Sequence, residues 1–157
     1  QVLRATAAHE GSALVEIYQN CNIFNDGAFE PLKENGVRED HLIRLEHGQP
    51  IIFGNNHEKC VIRDSDGHLQ VVNVEDVDQS EVIIFDSHAK DPGLAFGLSR
   101  LYNPRTLTNT PIGIFRDVTH REAYDRMAQQ QIADVIESDG PGDLRSLLHG
   151  SDTWTIN

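Results

Sequence analysis

The stretch Ala13-Leu14-Val15-Glu16-Ile17-Tyr18-Gln19-Asn20-Cys21-Asn22 decides how this chain is read. Its first six residues form a short, mostly apolar run containing β-branched Val15 and Ile17. Such a run suits a strand covered on both faces by helices. Before it, Val2, Leu3 and Ala7 mark a helix that Gly11, suited to a left-handed C-terminal position, can end. Helix followed by strand is half of a βαβ unit, so Ala13–Tyr18 is expected as an interior strand of an α/β layer. Cys21 then falls in the polar tip after that strand, where binding and catalytic groups of α/β sheets gather.

Downstream, residues 25–35 are turn-rich, and Asp40 to Leu45 is a short apolar stretch read as connecting structure. Ile51–Phe53, Cys60–Arg63 and Leu69–Val74 have the length and composition of short strands. Asp66-Gly67 between the last two signals a hairpin, so a small antiparallel ribbon is expected. Val82–Phe85 reads as a buried strand. A helix follows, with Asp91 as cap, Pro92 at its first position, and Leu94, Leu98 and Leu101 on one side. Ile112–Phe115 makes the last strand, and Thr119 with Glu122 has the spacing of a capping box. Tyr124, Met127, Ala128, Ile132, Val135 and Ile136 then form one stripe of an amphipathic helix ended by Gly140-Pro141-Gly142. Leu144 to Leu148 adds one more turn. The whole of 1–157 is expected to be a single domain.

Composition narrows the function. Thirteen Lys and Arg against 25 Asp and Glu leave a charge of −12, which gains nothing from phosphate backbones, so nucleic acid is excluded as a partner. Eight carboxylates lie from Asp64 to Asp91, flanked only by Arg63 and Lys90, a solvated face that would also repel acidic proteins. No apolar run of bilayer length occurs, so no membrane partner is expected. Two cysteines 39 positions apart make no disulfide scaffold and fit a reducing cytoplasm. The chain opens on Gln1-Val2-Leu3-Arg4-Ala5, already in helical register, and is expected to be a fragment.

Few chemical constellations stand out. Cys21 sits among Asn20, Asn22 and Asn25, whose amides could donate to a thiolate, although free cysteines are often buried for packing alone. His57 and Cys60 have half a zinc spacing without a second pair. In Asp86-Ser87-His88, neighbours in a strand would point to opposite faces, so a helix start is preferred to a catalytic triad. His41 and His47, six apart, read as surface residues, and Asp64-Ser65-Asp66-Gly67 as a turn instead of a calcium loop. Phosphate-loop, dinucleotide-binding and nucleophile-elbow motifs are missing.

The run Leu14 to Phe29 around Cys21 resembles the β subunit of 2-oxoacid:ferredoxin oxidoreductases, in the 2-oxoglutarate branch. Leu45-Glu46-His47-Gly48-Gln49-Pro50-Ile51, Asp91 to Leu101, Thr110 to Arg116 and Gly150-Ser151-Asp152-Thr153-Trp154 resemble the C-terminal portion of that subunit in the same order. The resemblance implies an α/β chain forming the C-terminal part of a thiamine-diphosphate-binding fold, with the small antiparallel β ribbon inserted. It implies oxidative decarboxylation of a 2-oxoacid on thiamine diphosphate and Mg, with CoA as co-substrate and acyl-CoA as product. Electrons would pass through a four-iron four-sulfur cluster to ferredoxin, and an α subunit would complete the enzyme. Cys21 matches the family's fourth cluster cysteine, and the resemblance implies that the Asn20 and Asn22 amides donate around its sulfur and tune the cluster's potential. The family's Gly-Asp-Gly motif and its other three cysteines do not occur here, so this chain alone is expected to be inactive. The acidic Asp64–Asp91 region implies that ferredoxin docks elsewhere. The rival reading is a non-catalytic α/β binding or assembly module.

Overall fold

The computed structural model describes residues 1–157 except His120, Asp152, Thr155 and Asn157. Two compact units are present: Gln1–His9 with Ala13–His120, and Glu10–Ser12 with Arg121–Asn157.

The first unit opens with α1 (Val2–Ala8), which ends at an extended His9 and not in a left-handed turn. Its core is built from α2 (Arg38–His41), β1 (Leu42–Leu45), β2 (Ile52–Phe53), β3 (Lys59–Arg63), β4 (Leu69–Asn73), α3 (Gly93–Ser99) and β5 (Thr110–Gly113). β1 and β5 pair in parallel, Leu42 opposite Thr110 through Leu45 opposite Gly113, and β2-β3-β4 form a separate antiparallel sheet. A parallel pair needs a long crossover. Here the crossover contains the antiparallel ribbon and α3, giving the expected α/β arrangement with its ribbon.

The β3–β4 hairpin follows from its turn. Gly67 takes φ +85, and the Asp64 carboxylate accepts from the N–H groups of His68 (2.8 Å) and Asp66 (3.0 Å). After the ribbon, Ile83 donates to the Val61 carbonyl and Ile51 donates to the Ile83 carbonyl, so the expected Val82–Phe85 strand is bound to the ribbon though only Ile84 forms a ladder bridge, with Pro50. Val82 and Phe85 face inward. α3 starts one residue later than read: Asp91 caps by accepting from Gly93 N–H at 2.8 Å, and Pro92 stands at the N-cap. Ile43, Leu45, Ile51, Phe53, Val61, Phe85 and Leu98 form the core, with Leu94, Leu101 and Phe115 packed against it.

Two sequence readings are corrected. Ala13–Tyr18 is not an interior strand: it has no ladder, and Leu14 and Ile17 are 96% and 66% exposed. An apolar run becomes a strand only when a neighbouring strand takes its backbone hydrogen bonds, and none does so among the described residues. Conversely, Leu42–Leu45, read as connecting structure, is one strand of the parallel pair, with Leu42, Ile43 and Leu45 buried and Arg44 exposed.

The second unit holds α4 (Tyr124–Asp139), ended by Gly140 at φ +82, and α5 (Leu144–His149), capped by Asp143. α4 begins later than the Thr119 to Glu122 box implies. Ala123 is its N-cap, the apolar stripe starts at Tyr124, and Asp125 puts a carboxylate in the first turn. His120, inside that expected box, lies outside the described residues, as does Asp152 in the closing segment.

Candidate functional site

The loop from Tyr18 to Phe29 carries Cys21. Its two ends are joined by ring stacking of Tyr18 on Phe29, centroids 5.2 Å apart and planes within 2°. Within it, Asn25 N–H donates to the Cys21 carbonyl at 2.9 Å, and the two residues form an isolated antiparallel bridge. Asn20 closes the loop from inside: its oxygen accepts from Gly27 N–H at 2.8 Å, and its amide nitrogen donates to Asn22 Oδ1 and Asp26 Oδ1, both at 2.8 Å. Gly27 takes φ +74, a conformation in which side chains are strained.

This geometry sets the chemistry of the sulfur. The backbone N–H groups of Phe24 and Ile23, with a smaller contribution from Asn25, outweigh desolvation and hold the Cys21 thiol below its ordinary pKa. A thiolate favoured by backbone amides suits a ligand of soft metal ions or iron-sulfur clusters, whose potentials respond to N–H donors at sulfur. The Asn20 amide is engaged by Asn22, Asp26 and Gly27, whereas Asn22 takes part through its side-chain oxygen. Cys21 is half-buried, while Ile23 and Phe24 beside it are 82% and 89% exposed. The loop thus carries a thiol of lowered pKa beside two exposed apolar side chains. Next to the loop lies an open cavity of about 620 Å³ lined by Tyr18, Phe29, Tyr102, Arg105, Leu107 and Thr110, among others.

The other sequence candidates separate. Cys60 is fully buried in β3, and burial pushes its thiol pKa up, the opposite of Cys21. His57 lies in a turn at φ 57. Among the described residues, no three His, Cys, Asp or Glu side chains converge as metal ligands.

Sequence reasoning missed a histidine pair. His47 and His88 meet edge to face with ring centroids 4.5 Å apart. His47 Nδ1 lies 3.3 Å from both Asp86 Oδ1 and the Ser87 N–H, and His88 Nδ1 lies 2.8 Å from the Asp117 carbonyl. His9 Nδ1 approaches the Asp117 carboxylate at 2.9 Å. The members lie far apart in sequence, so no local motif announces them. Ser87 is buried, and Asp86 accepts from the His88 N–H at 2.8 Å, a turn contact and not a triad.

The half-buried thiol of Cys21 lies in the segment where the family resemblance is most specific. The chain is similar to a 2-oxoglutarate oxidoreductase subunit. It is 45% identical to the 2-oxoglutarate oxidoreductase subunit KorB of Mycobacterium tuberculosis over 159 aligned positions, which take in all of this chain and 42% of that protein. The chain therefore spans less than half the length of KorB. The likeness to KorB bears out the resemblance read from the Cys21 segment and its ordered companions. No protein-family model matches the chain, and no solved structure does. No helix among the described residues is long and apolar enough to cross a membrane.

Proposed function

We propose that this chain is the C-terminal part of the β subunit of a thiamine-diphosphate-dependent 2-oxoglutarate:ferredoxin oxidoreductase, acting in the cytoplasm with an α subunit. The observation that carries this reading is the end-to-end likeness to KorB, a protein named for 2-oxoglutarate oxidation. The Cys21 loop supports it, because its thiolate-favouring amide donors match what a cluster ligand needs. In this reading Cys21 is one of four thiolate ligands of a four-iron four-sulfur cluster, and the other three lie outside this sequence. Asn20 and Asn22 serve the sulfur indirectly, by fixing the loop whose backbone faces it. The cluster, when bound, would relay single electrons toward ferredoxin.

The remaining assignments follow the resemblance. Thiamine diphosphate and Mg would be held by residues beyond this chain, and CoA would accept the acyl group left after a 2-oxoacid loses carbon dioxide. This chain alone would turn nothing over. Ferredoxin would dock away from the carboxylates between Asp64 and Asp91.

The test uses the full-length subunit purified with its α partner. CoA-dependent reduction of ferredoxin by 2-oxoglutarate, with iron, sulfide and thiamine diphosphate retained, is the expected result. A full-length protein that retains none of these and oxidises no 2-oxoacid would instead favour a non-catalytic assembly module.

A further inference from the structure

Resting on the reading above, we infer that the apolar face of α4 is the surface on which this chain docks a partner subunit, one presenting an apolar ridge bordered by basic side chains. α4 is 16 residues long, and none of them is buried. That makes it about 24 Å at 1.5 Å per residue. Its stripe of Tyr124, Met127, Ile132, Val135 and Ile136 stays open, with Tyr124 86% and Met127 56% exposed. A helix of this length is marginal in water unless its apolar face is packed, so a stripe this complete needs a cover.

Charge says what kind of cover. Between Arg121 and Asp139 the carboxylates are Glu122, Asp125, Asp134, Glu137 and Asp139, against Arg121 and Arg126 alone. Arg126 is already engaged by Glu10 at 3.3 Å. The C-terminal half of the helix is therefore purely acidic along its rim. Beside the stripe runs an open groove of about 590 Å³ where apolar Met127 and Val135 alternate with Asp134, Gln131 and Ser138. An apolar side chain seated there would be ringed by carboxylates, and lysine or arginine around it would complement them. A second copy would bring the same acidic rim and a further −12 of charge, which disfavours self-association.

Met127 is the only methionine of the sequence and supplies the probe. Oxidative footprinting with hydrogen peroxide, read by mass spectrometry of the peptide holding Met127, is run on the full-length subunit alone and on the assembly purified with its partner. Fast oxidation in the free subunit, slowed about tenfold or more in the assembly, is expected for a residue enclosed at an interface. Asp134→Lys with Glu137→Lys should slow association at low salt about tenfold and lose that effect at high salt. Equal oxidation in both states overturns the inference. So does protection in the free subunit, which would mean cover by its own polypeptide if independent of concentration and by a second copy if dependent on it. Protection in an assembly that does not oxidise 2-oxoglutarate sinks the functional reading and leaves the docking surface standing. Oxidation of 2-oxoglutarate without protection does the reverse.

Discussion

The side-chain oxygen of Asn20 accepts the N–H of Gly27, seven residues on, at 2.8 Å, and this bond helps close the loop that holds Cys21. Asn20→Ala removes it together with the contacts to Asn22 and Asp26. The loop is exposed, so global stability should fall by no more than about 1 kcal/mol. Amide exchange at Gly27 should rise about tenfold as local opening becomes easier. Hydrogen exchange on the full-length protein checks both, and unchanged exchange at Gly27 would remove Asn20 from its closing role.

Cys21 and Cys60 differ in what surrounds their sulfurs. Backbone N–H groups of Phe24 and Ile23 lower the Cys21 pKa, and burial raises that of Cys60. Because the thiolate is the nucleophile, iodoacetamide should modify Cys21 first in cluster-free protein. The midpoint of its rate against pH should lie below the ordinary thiol value, while Cys60 should react only on unfolding. Faster labelling at Cys60 would contradict the geometry.

Gly113 closes the parallel pair at φ +124, and a β-carbon there would stand 2.7 Å from the carbonyl oxygen of Leu45. Gly113→Ala combines backbone strain with that clash, each of them costing on the order of 1–3 kcal/mol. Urea unfolding should register a loss of about 2–6 kcal/mol, the two costs together, whereas Gly142→Ala, with open space around it, should cost far less.

The Asp64 carboxyl is held below the usual carboxylate range, first by the His68 N–H and then by the Gln70 amide and the Asp66 N–H. A lowered folded-state pKa means a stabilisation present above the unfolded value, about 3.9, and lost as pH falls through the folded one. Asp64→Asn should therefore melt at a lower temperature than the parent protein near neutral pH. That gap should narrow as the solution is acidified below about pH 4. A gap that widens on acidification would show that the carboxylate does not hold the hairpin.

Legibility of the fold in the sequence followed how local each signal was. Asp66-Gly67, the Asp91 cap and the α4 stripe each act within a few residues, and each was readable. The runs Ala13–Tyr18 and Leu42–Leu45 look alike as apolar segments, but only the second finds a partner, β5, some 68 positions away. Pairing across that distance leaves no mark in either segment. Cys21 was singled out by its neighbours, but the contribution of the backbone N–H groups of Phe24 and Ile23 to its lowered pKa was not readable, because it depends on the turn between Cys21 and Asn25 and not on side-chain identity. The His47–His88 pair was invisible for the same reason as β1: it exists only once the chain has closed on itself.

The central claim concerns the sulfur of Cys21 as a cluster ligand. Iron and acid-labile sulfide content, with electron paramagnetic resonance of the reduced protein, measured on the full-length subunit with its partner and on its Cys21→Ala variant, tests it most directly. The account predicts a four-iron signal in the parent protein that is lost or converted to a smaller cluster in the variant, with near-normal assembly. An undiminished four-iron signal in Cys21→Ala would contradict it.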